Sequence, residues 1–263
     1  MAASLLGGLI ADKFEPSAIW VSDPNQSKLD TFSKDFSVNT TSDNELLCAS
    51  VDVLLFAVKP QLLRKVALGV KLAIQTHKPL IISIAAGILE SDLQRWIGGD
   101  MPIVRCMPNT PALVGSAMTA MVANDLVADD QRAQADRILR AVGITLWLSD
   151  ESTMNAATAL SGSGPAYFFL VMEALEQAGE VIGLTPEESR TLTMQTALGA
   201  SRMALESGEP LALLRERVTS PGGVTERALR ALESGGLRQL FTHALQEANR
   251  RADEIAHMLG QQD

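Results

Sequence analysis

Two cysteines, three histidines and a single tyrosine leave this chain little material for several kinds of chemistry. Cys48 and Cys106 alone can build neither a disulfide framework nor a four-cysteine metal site, and a reducing cytoplasm is the simplest compartment for such a chain. His77, His243 and His257 stand far apart and in no metal-ligand spacing, so no metal is expected. Positive charge is scarce as well. The 22 Lys and Arg against 31 Asp and Glu give a formal charge of -9, and no basic run interleaved with aromatics offsets it, which argues against a nucleic-acid partner. The apolar stretch 2–11 is too short to span a membrane, and it lacks the basic leader and cleavage site of a secretion signal. These absences favour a small-molecule partner and no membrane.

What is present is ordinary globular material, with 46% hydrophobic and 20% charged residues over a length that suits two domains. Up to about residue 150, short β-branched runs alternate with helical patterns, the pattern of a parallel sheet covered by helices on both faces. Strands are expected over 18–21, 53–58, 80–84, 103–107, 117–122 and 144–148. Helices are expected over 2–11, 27–36, 61–74, 89–97 and 129–142. After Leu148 strand signals vanish and Ser149-Asp150-Glu151 opens a helical run, so the chain divides into an α/β domain over 1–149 and an all-helical domain over 150–263. Within the latter, Thr185-Pro186-Glu187-Glu188 reads as a capping box starting a helix that runs to Ser207.

In parallel sheets ligands bind beyond the carboxyl ends of the strands, which directs attention to the segments that follow each one. Ser22-Asp23-Pro24-Asn25 stands where dinucleotide folds meet the adenosine ribose. Asp23 suits free ribose hydroxyls and Ser22, Asn25 or Lys28 a 2′-phosphate, although an Asp-Pro turn capping the next helix accounts for the segment equally well. Ala57-Val58-Lys59-Pro60 and Ile84-Ala85-Ala86-Gly87 each end an apolar strand. Their small residues admit a flat ring or a phosphate, or serve simply as tight βα turns. Arg105-Cys106-Met107-Pro108-Asn109-Thr110-Pro111 is a proline-stiffened loop that either positions a ligand or makes a rigid connection. In the helical half, Ser220-Pro221-Gly222-Gly223-Val224-Thr225 combines two hydroxyls with glycines that allow close backbone approach, just before a helix beginning at Val224. The free N–H groups of that helix start suit a carboxylate or phosphate, whereas taken alone the segment is an interhelical turn with Ser220 or Thr225 as cap.

Taken together, A-V-K-P (57–60), S-I-A-A-G (83–87), M-P-N-T-P (107–111), L-S-G-S-G-P-A-Y (160–167) and V-T-S-P-G-G-V-T-E-R-A-L (218–229) resemble, in order and spacing, the pyrroline-5-carboxylate reductases of the bacterial type. The resemblance runs the whole length of the chain. It implies an α/β fold, with a Rossmann-like NAD(P)-binding domain followed by a helical domain that forms a homodimer, often within larger rings. By the same resemblance Ala57, Val58, Lys59, Pro60, Ile84, Ala85 and Ala86 line the nicotinamide half of the cofactor, with Asp23 and Asn44 near the adenosine. Ser220, Gly222, Gly223, Val224 and Thr225 hold the substrate, and Glu151 matches a further substrate-side position. The cofactor expected is NADPH, with NADH open because Asp23 and its neighbours argue opposite ways.

The implied activity is hydride transfer to the C=N carbon of a cyclic imine, giving L-proline in the last step of its biosynthesis. None of these segments carries a His or Tyr placed for proton transfer, which suits a substrate bound already protonated and oriented by the Thr225 hydroxyl near its nitrogen. In one respect the chain departs from the family. Members begin with a strand and a turn ending approximately G-x-G-N-M, and here that methionine is Met1, so the resemblance expects the first, central strand and its glycines upstream. Two further readings compete: a shortened, cofactor-defective helical dimerisation protein, and a related NADP-dependent hydroxy-acid dehydrogenase, which leaves the S-P-G-G turn unexplained.

Overall fold

The six expected strands all form in the computed structural model, which describes residues 1–261: β1 (Trp20–Ser22), β3 (Val53–Phe56), β4 (Leu80–Ser83), β5 (Ile103–Met107), β6 (Ala117–Ala123) and β7 (Gly143–Trp147). A seventh, β2 (Asn39–Thr41), has no apolar alternation to announce it. It exists through parallel pairing with β1, and the Asn39 side chain fixes its start by donating to the Ser17 carbonyl at 2.7 Å.

Strands β3, β4 and β5 are parallel neighbours, β5 and β6 are antiparallel, and β6 and β7 are parallel. The sheet is therefore mixed where a parallel one was expected. Residues 108–116 cross from β5 to β6 with only a 3₁₀ turn (Thr110–Val114), too short for the helical crossover that a parallel pair requires. Strands β1 and β2 form a separate two-stranded sheet. Among the described residues β1 pairs only with β2 and β3 only with β4, so each presents one unpaired edge.

The helices of this part are α1 (Ala2–Ala11), α2 (Gln26–Phe36), α3 (Asn44–Ala49), α4 (Pro60–Gly69), α5 (Lys71–His77), α6 (Glu90–Ile97), α7 (Asp129–Arg140) and α8 (Met154–Ala157). The short α3 carries too few residues to show a period, and it is started by the Asp43 carboxylate accepting from the Glu45 and Leu46 N–H groups. The single helix expected over 61–74 is two, broken after Gly69 at Val70 with φ -109° and ψ 8°. Glycine's low helix propensity makes that the weak point.

Strand β4 is buried along its whole length and its side chains alternate between two cores. Ile81 packs with Leu54, Phe56, Leu63, Leu93 and Ile103 on the α4–α6 face. Leu80 and Ile82 pack with Val104, Met121, Ala135 and Leu139 on the α7 face. Burial of this kind stabilises by about 2 kcal/mol for each large aliphatic side chain.

The chain forms two compact units, one of residues 1–163 with the chain from Ala248 onward, and one of Gly164–Glu247. The change of pattern at 149/150 and the compact division at 163/164 differ because Met154 packs against Ala120 and Val122, which ties the first helical turns to β6. The last two positions of the expected 150–263 domain lie outside the described residues. Helix α13 (Leu237–Gly260) starts in the second unit and ends in the first, where Ile255 and Leu259 join the α4–α6 core.

In the second unit, α9 (Gly164–Val181) and α10 (Pro186–Ser207) pack at Gly179, where an added Cβ would lie 2.2 Å from Ser189 Oγ. That hydroxyl donates to the Glu176 carbonyl at 2.6 Å. Helices α11 (Leu211–Arg217) and α12 (Val224–Ser234) follow. Large apolar side chains remain uncovered here, Phe168 at 69% and Leu205 at 79% exposure among them, an amount of open apolar surface that marks an interface.

Candidate active site

Parallel register brings two of the sequence-derived segments together. Phe56 and Ser83 are partners at the carboxyl ends of β3 and β4, and the Ile84 N–H donates to the Phe56 carbonyl at 3.2 Å. Ala57-Val58-Lys59-Pro60 and Ile84-Ala85-Ala86 therefore leave the sheet side by side. Pro60 begins α4, where its missing N–H costs nothing, and Lys59 precedes it with an exposed side chain. The second loop is held from below: Ala85 is buried, and Gly87 sits at φ +73° with its missing Cβ only 2.8 Å from Ile255 Cγ2 of α13. Ala57, Ala85 and Ala86 put no more than a methyl at these strand ends.

The carboxyl end of β1 gathers a second group. Ser22 Oγ donates to Asn44 Oδ1 at 2.6 Å, which brings the start of α3 to the strand end. Asp23 accepts from the Asn25 N–H at 2.9 Å and from Lys28 Nζ at 3.1 Å. Beside them a cleft of about 610 Å³ is lined by Pro24, Asn44, Leu62 and Lys65 among others. No sequence signal marks Lys65, because it reaches this cleft from α4 only through the packing of that helix.

The M-P-N-T-P loop is braced at Asn109. Asn109 Nδ2 donates to the Ser161 carbonyl at 3.2 Å and its Oδ1 accepts from the Met118 N–H at 3.0 Å, so both ends of the amide are engaged in holding backbone. Both cysteines are chemically quiet. Burial pushes the Cys106 thiol far above its usual range and is also the main cause raising Cys48 to about 11, so neither supplies a thiolate at neutral pH.

In the second unit, residues 220–223 form a tight turn, with the Gly223 N–H donating to the Ser220 carbonyl at 3.0 Å. Gly222 adopts φ +71°, which a side chain would strain, and Gly223 caps α12. The Gly222 N–H is engaged by Glu226 Oε2 at 2.7 Å. Val224 and Thr225 occupy the first turn of α12, where backbone N–H groups have no intrahelical acceptor. The hydroxyls of Ser220 and Thr225 make no hydrogen bond among the described residues. Upstream, Arg217 forms a two-pronged ion pair with Glu209, its Nη2 at 2.6 Å from Oε1, which braces the residues leading into the turn.

Glu151 belongs to the first unit. Its Oε1 accepts from Arg105 Nη1 and from the Glu90 N–H at 2.8 Å. In sequence Arg105 opens the proline-stiffened segment 105–111, and a cation within an otherwise apolar strand is the signal that marks it.

Known proteins match over the same ground. Residues 151–255 match the family described as pyrroline-5-carboxylate reductase dimerisation, and residues 1–87 match NADP oxidoreductase, coenzyme F420-dependent. The pyrroline-5-carboxylate reductase of Pseudomonas aeruginosa is 45% identical over 261 residues, 99% of this chain and 95% of that protein. That of Synechocystis is 40% identical over 97% of this chain and 94% of its own length. Among solved structures, a pyrroline-5-carboxylate reductase from Coxiella burnetii superposes with a TM-score of 0.94 at 45% identity, covering 97% of this chain and 94% of that one. The Plasmodium falciparum pyrroline carboxylate reductase with NADP bound gives 0.84 at 30% identity, with the same coverage. With a Rossmann-like first part, a helical dimerisation part and this degree of identity across nearly its whole length, the chain belongs to the pyrroline-5-carboxylate reductase family.

Proposed function

We propose that this protein reduces pyrroline-5-carboxylate to L-proline with NADPH, acting in the cytoplasm as a homodimer joined through its helical part. The observation that carries this reading is the side-by-side exit of Ala57–Pro60 and Ile84–Ala86 from β3 and β4 in a chain 45% identical to such a reductase over 99% of its length. When bound, the reduced nicotinamide supplies the hydride. Ala57, Val58, Lys59, Pro60, Ile84, Ala85 and Ala86 would hold its ring, and Asp23 and Asn44 the adenosine end.

The chain's own contribution is orientation. The free N–H groups of Val224 and Thr225, with Ser220 Oγ, would grip the substrate carboxylate at the positive end of α12, and Gly222 and Gly223, without side chains, let it approach. Thr225 Oγ accepts from the protonated imine nitrogen and so sets the angle of the electrophilic carbon. Hydride addition at that carbon turns the iminium directly into the amine of proline, so no general acid is required. Uncovered apolar helix faces in the second unit support assembly with a second copy.

The deciding assay supplies the imine with NADPH or NADH, and in parallel a panel of small hydroxy acids with NADP⁺. Imine-dependent cofactor oxidation with formation of proline is expected. Turnover of hydroxy acids alone would overturn the reading.

Cofactor preference has its own test. Lys28 is the cation beside Asp23 at the β1 end, and of Ser22, Asn25 and Lys28 it would contribute charge toward a 2′-phosphate. Lys28→Ala is expected to raise KM for NADPH roughly fivefold, the worth of ~1 kcal/mol for an exposed ion pair, and to leave KM for NADH within a factor of two. Equal changes with both cofactors would show that Lys28 does not read the phosphate.

A further inference from the structure

Two helices of the second unit carry a glutamate three residues past the cap, and they use it differently. At α10 the capping box is complete: Thr185 Oγ1 accepts from the Glu188 N–H at 3.3 Å, and Glu188 Oε2 accepts from the Thr185 N–H at 2.9 Å. At α12 the cap is Gly223, which has no side chain to offer, and the glutamate is Glu226. The Gly223 N–H is already donated to the Ser220 carbonyl at 3.0 Å, so Glu226 reaches one residue further and its Oε2 accepts from the Gly222 N–H at 2.7 Å. Its other oxygen lies 3.4 Å from Arg230 Nη2, one turn along the helix. Little else holds the corner. Pro221 and Gly222 are exposed, and a Cβ added at Gly222 would meet no atom within 4 Å, so it is the φ of +71° that calls for glycine there.

We infer that Glu226 is a positioning residue for the substrate, one that holds the Ser220–Gly223 turn in the shape the carboxylate must meet. The inference rests on the proposed grip of that carboxylate by Ser220, Val224 and Thr225. A capping side chain at position 223 would take an N–H of the first helical turn for the fold. Glycine leaves those groups to a ligand but gives up the rigidity of the box. Glu226 restores that rigidity from the other side, through Gly222, and occupies no N–H of the helix. Glycine by itself has no preference for positive over negative φ, so an untethered Gly222 samples both. The turn must then be ordered at each binding event, which weakens affinity. A bare carboxylate so close to an anion site would also repel the substrate, and Arg230 offsets part of that charge.

The test compares Glu226→Ala and Glu226→Gln with the unsubstituted protein. It reads kcat and KM for pyrroline-5-carboxylate, NADPH Kd by fluorescence titration without imine, and amide exchange at Gly222. Glu226→Ala is expected to raise KM for the imine roughly fivefold, with kcat and NADPH Kd changed less than about twofold and exchange at Gly222 faster. Glu226→Gln keeps an oxygen that accepts from the Gly222 N–H and brings KM back to within about twofold of the original. Should Glu226→Ala not fold, Glu226→Asp, whose carboxylate sits one methylene short of the Gly222 N–H, takes its place. Unchanged or lowered KM in Glu226→Ala would overturn the inference, because the residue would then serve the fold alone or merely repel the substrate. A Glu226→Gln enzyme as impaired as Glu226→Ala would overturn it too, by making charge and not the hydrogen bond the cause. Absence of imine turnover by the unsubstituted protein would instead overturn the proposed reaction, and this role with it.

Discussion

Thr225→Ala lowers kcat/KM for pyrroline-5-carboxylate about 10- to 100-fold, the loss of ~1.5 to 3 kcal/mol for a hydrogen bond to a charged group. The Thr225 side chain stands in the first turn of α12 behind the Gly222-Gly223 corner, with no partner among the described residues, so its removal disturbs nothing else in the fold. Alanine is also the better helix former by about 0.5 kcal/mol, and thermal stability should stay level or rise slightly. KM for NADPH should not move, because the residues proposed to hold the cofactor are Asp23, Asn44 and the segments that follow β3 and β4. Thr225→Ser keeps the hydroxyl and should retain most of the activity. Steady-state kinetics on the three proteins decide the matter: a Thr225→Ala enzyme with undiminished kcat/KM would remove the hydroxyl from the mechanism.

Gly143→Ala, by contrast, attacks the scaffold and spares the chemistry. Gly143 begins β7 at φ +154°, paired in register with Ala117 of β6. An added Cβ would stand 2.1 Å from the Ala117 carbonyl oxygen, 2.4 Å from its nitrogen and 2.8 Å from its carbonyl carbon. All three are backbone atoms, so no rotamer change relieves the overlap. The Ala117 N–H donates to the Val142 carbonyl at 2.9 Å, and separating the strands would break that bond as well. A loss of about 3 kcal/mol or more is expected, placing the substitution in the severe tail of single changes. Urea unfolding should show a lower midpoint at an unchanged slope, with normal kcat/KM for the protein that remains folded. A loss below about 0.5 kcal/mol would mean that β6 and β7 can part there at little cost.

The two cases show which parts of this molecule are local in origin. Ser220-Pro221-Gly222-Gly223 forms a turn before a helix start because proline and glycine chemistry acts within four residues, and so it could be read directly. The apolar runs at 53–56 and 80–83 are strands for an equally local reason, and their ends lead into A-V-K-P and I-A-A-G wherever the strands happen to lie. The fold class and the two loops of the expected nicotinamide side were legible on that basis. The family resemblance added the pairing of those loops with the turn in a reductase.

Long-range packing decided the rest. The polar β2 exists only because β1 offers an edge, and β6 runs antiparallel to β5 because the link between them is short. The amide of Asn109 is held by the backbone of Met118 and Ser161, contacts that the sequence does not announce. Gly87 needs to be glycine because the end of α13, far along the chain, presses on it. Arg105 and Glu151 are 46 residues apart and share no motif, yet one buried charge requires the other. Periodicity and turn chemistry are properties of neighbouring residues and can be read along the chain. The satisfaction of a buried cation, the order of strands and the space beside a glycine depend on which distant segments meet, and only the folded structure settles those meetings.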